Sequence, residues 1–78
     1  MTQNTVTVVN YEQATDSFFY RINDSQDRHE IAADTAFRIW EDRESFTEST
    51  DLEKRLIAAF MNLDWEEPCD LVNQTATL

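Results

Sequence analysis

The stretch that most constrains the fold of this chain is residues 50–65, TDLEKRLIAAFMNLDW, because it is helical in pattern and apolar on two sides. Apolar residues recur there at spacings of three and four, which places their side chains on one face of a helix. The positions of this core-facing stripe are Leu52, Leu56, Ala59, Phe60 and Leu63. At about 100° per residue, a second stripe lies on nearly the opposite side and consists of Lys54, Ala58, Met61 and Trp65. Such a helix either has a second covering element or leaves an apolar stripe free for a partner.

The ends of this helix are predicted from its flanking residues. Thr50, with Glu53 three residues later, matches a capping box, in which two side chains satisfy the first backbone N–H groups of a helix. Pro68 ends the helical region because proline has no backbone N–H and restricts the residue before it. A preceding helix is predicted to begin at Asp34, whose carboxylate can accept backbone N–H bonds. Its apolar positions are Ala33, Ala36, Phe37 and Trp40, flanked by Ile39 and Phe46.

The N-terminal third of the chain has the pattern of strands. Residues 5–9, TVTVV, alternate polar and apolar side chains and are rich in β-branched residues. Residues 17–23 place Phe18, Tyr20 and Ile22 on one face of a strand, although a helix over residues 11–23 remains an alternative. A returning strand at residues 28–32 would complete a hairpin. Because the chain contains no glycine, we expect a loop of four or five residues there rather than a tight two-residue turn.

Both ends of the chain are uncharged, whereas the charges lie between residues 12 and 70. Residues 1–11 and 71–78 would form neighbouring strands, although the last segment is equally compatible with a frayed tail. We therefore predict a single α+β domain over residues 1–78, with an antiparallel sheet of three to four short strands packed against two helices. A mainly α fold is the alternative.

No residue set in the sequence indicates a reaction. His29 and Cys69 are the only histidine and the only cysteine, so a Cys–His nucleophile pair has no further support. Without glycine the chain cannot form a glycine-rich phosphate loop. The acids Asp24, Asp27 and Glu30 recur every three residues, unlike the alternate spacing of a calcium-binding EF-hand loop. We expect no catalytic site, no metal site and no cofactor, and we expect that the protein is not an enzyme.

The acidic balance is the strongest compositional signal. Sixteen acidic residues against six basic ones give a net charge of −10, which opposes direct binding to nucleic acid or an anionic membrane and favours a basic protein partner. The acids form two runs: Glu41, Asp42, Glu44, Glu48, Asp51 and Glu53, and then Asp64, Glu66, Glu67 and Asp70. Carboxylates on a rigid surface can imitate the phosphates of DNA. The second interpretation, that they coat the solvent face and keep the protein soluble, remains open.

In size, charge and lack of catalytic groups, the chain resembles small acidic proteins that bacteriophages and mobile elements use against host enzymes. These include anti-restriction and anti-CRISPR inhibitors and short inhibitors of RNA polymerase. The resemblance involves no motif and assigns no residue. With no signal-peptide pattern and no run of about 20 apolar residues, we expect a cytoplasmic protein.

The function predicted from these features is a non-enzymatic inhibitor or modulator that mimics DNA and docks on a basic surface of a nucleic-acid-handling protein. The expected contact residues are Glu41, Asp42, Glu44, Glu48, Asp51, Met61, Trp65, Glu66 and Glu67. Met61 and Trp65 would be the exposed apolar anchors among them. The alternative is a small structural or assembly protein that forms a homodimer or subunit contact through the same Met61 and Trp65 stripe.

Overall fold

The computed structural model describes residues 3–78 and contains a four-stranded antiparallel sheet with two helices packed against one face. The strands are β1 (Thr5–Glu12), β2 (Ser17–Ile22), β3 (His29–Ala32) and β4 (Thr75–Thr77). The helices are α1 (Ala33–Glu41) and α2 (Leu52–Met61), and two short 3₁₀ turns follow them at Arg43–Ser45 and Pro68–Leu71. The predicted α+β class is confirmed, and residues 17–22 form a strand rather than a helix. Residues 1 and 2 of the predicted domain lie outside the described residues.

The strand order β3-β2-β1-β4 brings the two uncharged ends of the chain together. β1 and β4 pair antiparallel, with Val6 opposite Ala76, as the sequence predicted. The loop between β2 and β3 covers residues 23–28, so it is longer than the predicted four or five residues. Asn23 (φ 54°) and Asp16 (φ 51°) supply the left-handed conformations that glycine usually provides. The Asn23 side chain accepts the backbone N–H of Thr5 at 2.9 Å, which fixes this turn against β1.

The core lies between the sheet and the helices. Its largest fully buried side chains are Phe18, Phe60, Leu56, Leu71, Val6 and Val8. Phe18 of β2 meets Phe60 of α2 edge to face, with ring centroids 5.6 Å apart and planes at 73°. This arrangement is one that aromatic pairs prefer. The sequence-predicted stripe of α2 is therefore the side that holds the helix on the sheet.

Helix α1 begins one residue earlier than its predicted cap and without a side-chain cap. Ala32 occupies the N-cap position, and Asp34 instead lies in the first turn, 3.6 Å from Arg38. The prediction that Asp34 caps this helix is therefore wrong. The reason is that β3 runs directly into α1 without a loop, and the Asp16 carbonyl accepts the Ala33 N–H at 2.8 Å.

Helix α2 is shorter than its sequence pattern at both ends. Its N-cap is Asp51, which accepts the Glu53 N–H at 2.8 Å, so the predicted cap at Thr50 is wrong by one residue. The helix ends at Met61, four residues before Trp65. The Trp65 indole N–H donates to the Met61 carbonyl at 2.9 Å and so satisfies one of the unpaired carbonyls at the end of the helix. Trp65 therefore lies outside the helix to which the sequence assigned the second stripe.

Candidate protein-binding groove

The aromatic side chains of α1 lie at its outer edge. Ala36 is fully buried, and its small side chain lets α1 approach the core closely. Phe37 is 42% exposed. Among residues 3–78, the only other exposed large apolar residue is Leu78. Its ring lies 5.5 Å from that of Trp40, one turn further along the helix. Helix α1 thus presents an exposed aromatic side chain, Phe37.

An apolar groove runs between α1 and the segment that follows α2. Its first part has a volume of about 270 Å³ and is lined by Phe37, Trp40, Met61, Asn62, Leu63 and Trp65. An adjoining part of about 290 Å³ shares Phe37, Met61 and Trp65 with the first and extends toward Ala33, Asp34 and Pro68. The shared residues make the two parts continuous. We call this feature the α1 groove.

Hydrogen bonds hold both tryptophan side chains in the walls of the α1 groove. The Trp65 indole N–H donates to the Met61 carbonyl, and the Trp40 indole N–H donates to the Asn62 side-chain oxygen at 3.3 Å. The Arg43 guanidinium lies 3.8 Å from the centre of the Trp40 ring and also donates to the Trp40 carbonyl at 2.9 Å. These contacts form the groove in the free protein, which lowers the ordering cost of a binding event.

The two sequence-predicted apolar anchors have different positions. Met61 is only 5% exposed, so the expectation of an exposed Met61 is wrong. It forms the floor of the α1 groove, because α1 packs over this side of α2 and also leaves Ala58 buried. Trp65 is half-buried and lines the groove wall. The second stripe of α2 is therefore largely covered by α1.

The seven sequence-predicted acidic contact residues are all exposed: Glu41, Asp42, Glu44, Glu48, Asp51, Glu66 and Glu67. Four of them lie at or after the end of α1 within residues 41–48, and we call these four the acidic array: Glu41, Asp42, Glu44 and Glu48. Among the described residues, Asp34 forms an ion pair with Arg38, and the Glu53 carboxylate lies 3.7 Å from the His29 ring, so no member of the acidic array takes part in either contact. Asp51 has a structural role as the N-cap of α2.

Glu66 and Glu67 lie on a separate segment beside the groove wall. Their backbone N–H groups donate to the Asp70 carboxylate at 3.1 and 2.9 Å. The bonds from Glu67 and Glu66 lower the pKa of Asp70, because hydrogen bonds to a carboxylate favour its charged form. Both glutamate side chains are exposed.

Two acids of the array, Glu41 and Asp42, lie at the C-terminal end of α1, where they oppose helix formation. Glu41 is the last residue of α1, Asp42 is its C-cap, and Glu44 follows in the 3₁₀ turn. The C-terminal end of a helix carries a partial negative charge, so nearby carboxylates are unfavourable there. Arg43 partly offsets this repulsion, since it donates to the Trp40 carbonyl in the last turn.

His29 and Cys69, the candidate nucleophile pair of the sequence, have separate surroundings. The His29 ring stacks on Tyr20 at 5.3 Å and lies 3.7 Å from the Glu53 carboxylate. The Tyr20 hydroxyl donates to the same carboxylate at 2.6 Å. Burial of the ring, followed by this hydrogen bond, raises the pKa of Tyr20. Cys69 is exposed, with its Sγ 3.8 Å from a Glu67 carboxylate oxygen.

The described part of the chain holds neither a metal-binding cluster nor a helix suited to cross a membrane. No group of three or more His, Cys, Asp or Glu side chains in residues 3–78 is arranged to hold a metal ion. Neither helix of that part has the length and the apolar composition that a membrane crossing requires. Comparison with protein-family models, with curated proteins and with solved structures finds no match for this chain.

Of the residues that line the α1 groove, the sequence predicted only Met61 and Trp65 as contacts, and it assigned Phe37, Trp40 and Leu63 to the core. One signal was available. The predicted stripe of α1 combines two alanines, Ala33 and Ala36, with two large aromatics. A helix that lies close to a sheet directs its small residues inward, which leaves the aromatics at its edge.

Proposed function

We propose that this protein is a non-enzymatic inhibitor or modulator that docks on a basic surface of a nucleic-acid-handling protein and occupies it in place of DNA. Inhibitors of this kind, including anti-CRISPR and anti-restriction proteins, are used by bacteriophages. The observation that supports the proposal is the acidic array, in which four exposed carboxylates near one end of α1 have no basic partner among the described residues. Such a surface attracts lysine and arginine side chains that otherwise bind phosphates.

The position of the acidic array also favours a binding role over solubility alone. A carboxylate in the last turn of a helix typically lowers the stability of the helix by about 0.3–1 kcal/mol at low ionic strength. Charges that serve only solubility can be placed anywhere on the surface, including positions where they stabilise a helix. Glu41 and Asp42 lie at the unfavourable end of α1, a placement that solubility alone does not require.

The contact we propose has an electrostatic part and an apolar part. The acidic array and the pair Glu66 and Glu67 supply charge complementarity, which speeds association and selects a basic partner. Trp65 and Phe37, at the wall of the α1 groove, supply the apolar part. Aromatic residues of this type commonly dominate the binding energy of protein interfaces.

The proposal is tested by affinity capture from a bacterial lysate with two variants that each lose four negative charges. The array variant carries the substitutions Glu41→Gln, Asp42→Asn, Glu44→Gln and Glu48→Gln. The control variant carries Glu12→Gln, Asp24→Asn, Asp27→Asn and Glu30→Gln, which are exposed positions on the hairpins. We expect the natural protein and the control variant to capture a nucleic-acid-handling protein, and the array variant to capture much less of it.

Two further properties of the captured complex are expected. It should dissociate as ionic strength rises above about 0.1 M, where the screening length falls to about 10 Å. Added duplex DNA should compete with the natural protein for the captured target. If both variants lose the target equally, total charge rather than the acidic array is responsible. If DNA does not compete, the proposed mimicry is wrong.

A further inference from the structure

We propose that the α1 groove receives a basic amphipathic helix of the partner protein. Two apolar side chains of that helix enter the two parts of the groove, and its lysine or arginine side chains face the acids around the groove. This inference rests on the proposed function, to which it adds the chemistry of the docked segment. Three observations carry it: the size of the groove, the charges beside it and the fixed position of its walls.

The size of the α1 groove fits side chains better than a free small molecule. Its two parts have volumes of about 270 and 290 Å³. Pockets for drug-sized ligands bury most of the ligand, whereas both parts of this groove are open to solvent. Two adjoining shallow parts that share Phe37, Met61 and Trp65 fit two neighbouring anchors. An amphipathic helix presents such anchors at positions i and i+3 or i+4.

The charges beside the groove select a basic occupant. Asp64 and Glu66 flank Trp65 in the chain. Asp16 and Asp34 line the second part of the groove, where Asp16 accepts the Tyr11 hydroxyl and Asp34 lies 3.6 Å from Arg38. All four are exposed. A second copy of this protein in a two-fold contact through the groove would bring two acidic surfaces together, and each copy carries a net charge of −10. Like charges across an interface are unfavourable, so complementarity favours a lysine- or arginine-rich segment over a second copy.

The groove walls are fixed before any partner arrives. Both tryptophan indoles donate hydrogen bonds within the protein, and Arg43 stacks on Trp40. A preformed groove does not spend binding energy on ordering its own side chains. It therefore retains measurable affinity for an isolated peptide, and the inference can be tested without the intact partner.

Intrinsic fluorescence reports directly on occupancy, because both tryptophans of the chain line the α1 groove. The probe is a helical peptide of leucine and lysine, with leucines at helical spacing and no aromatic residue. We expect a saturable shift of the tryptophan emission and protection of the indoles from acrylamide quenching. Two comparison peptides keep the length: one replaces leucine with serine, and the other replaces lysine with glutamate. Neither should produce the saturable shift.

A matched pair of variants tests where the peptide binds. Phe37→Ala removes an exposed groove residue, and Leu78→Ala removes a residue of nearly equal exposure (41%) that does not line the groove. We expect Phe37→Ala to weaken peptide binding about tenfold, the effect of losing a central aromatic contact. Leu78→Ala should leave binding unchanged. Circular dichroism checks that both variants fold, and the quenching experiment on the natural protein gives a readout that needs no variant.

Four outcomes would overturn the inference. The first is that the leucine–lysine peptide produces no emission shift. The second and third are that the serine peptide or the glutamate peptide binds as tightly as the leucine–lysine peptide. The fourth is that light scattering shows self-association that Phe37→Ala abolishes, which would make a second copy the occupant. Failure here is distinguishable from failure of the proposed function. If Phe37→Ala captures the lysate target undiminished while the array variant does not, only the groove inference fails. If the peptide binds but DNA never competes for the captured target, only the proposed function fails.

Discussion

Replacing Met61 with alanine tests the main difference between the sequence pattern and the structure. The sequence predicts an exposed anchor at this position, whereas Met61 lies under α1 and is almost fully buried. An exposed methionine can be truncated with a change in stability within about 0.5 kcal/mol. A buried one loses its packing contacts and leaves a cavity. The free energy of unfolding therefore separates the two positions clearly.

The magnitude follows from the surroundings of Met61. Truncation of a buried methionine to alanine costs about 2–5 kcal/mol. Met61 forms the floor of the α1 groove, so the space left behind opens toward solvent and its walls can partly collapse. We therefore expect the lower part of that range, about 2–3 kcal/mol. For a domain of this size, 1 kcal/mol lowers Tm by about 4–8 °C, so the expected decrease is roughly 10–20 °C.

The assay is thermal and urea unfolding followed by far-UV circular dichroism. Met61→Leu is the matched control, since it keeps the side-chain volume and should cost less than about 1.5 kcal/mol. Leu78→Ala is the exposed control and should change stability by less than about 0.5 kcal/mol. A Met61→Ala variant that melts within about 3 °C of the natural protein, well below the shift expected for a buried site, would refute the burial of Met61 and the packing of α1 over α2.

Two further predictions concern single hydrogen bonds. Tyr20→Phe removes the bond to Glu53 and should cost about 1 kcal/mol. Folding raises the pKa of Tyr20 above 10.0, so the stabilisation that Tyr20 contributes is present below about pH 10 and is lost as the pH rises through the folded-state pKa. In alkaline buffers the melting temperature should therefore fall less for Tyr20→Phe than for the natural protein. Equal decreases in melting temperature would contradict an origin in Tyr20. Asp51→Ala removes the N-cap of α2 and should cost about 1 kcal/mol, whereas Asp51→Asn keeps the acceptor and should retain most of the stability in urea unfolding. Equal losses in the two Asp51 variants would rule out the capping role.

Local patterns were sufficient to predict most of the sheet and the core. Alternation at Val6 and Val8 identified β1, and the uncharged ends correctly indicated that β1 and β4 are neighbours. The alternation of apolar residues and the absence of charge can both be read directly from the sequence. The loop of residues 23–28 was less predictable, because Asn23 replaces glycine in its turn through a side-chain bond to the distant residue Thr5.

The end of α2 and the exposure of its second stripe could not be read from local pattern. The helical periodicity continues to Trp65, but the Trp65 indole bonds to the Met61 carbonyl and the chain leaves the helix there. Exposure is also a long-range property. Met61 is buried because α1, some twenty residues earlier in the sequence, packs over it. Phe37 is exposed because it lies on α1, the helix that covers α2, and no further element among residues 3–78 covers α1.

The acidic array and the α1 groove adjoin through Arg43, and this connection bears on both proposals. Arg43 stands between Asp42 and Glu44 in the chain, yet its guanidinium stacks on Trp40 in the groove wall and contacts no carboxylate within salt-bridge distance among the described residues. Had it paired with the neighbouring acids, it would have neutralised part of the array and left the Trp40 indole with its bond to Asn62 but without the stacked guanidinium. Its actual position leaves the carboxylates free and fixes the groove wall. Under both proposals, a basic helix seated in the groove would meet these carboxylates, and charge and apolar contact would then act on one partner rather than on two.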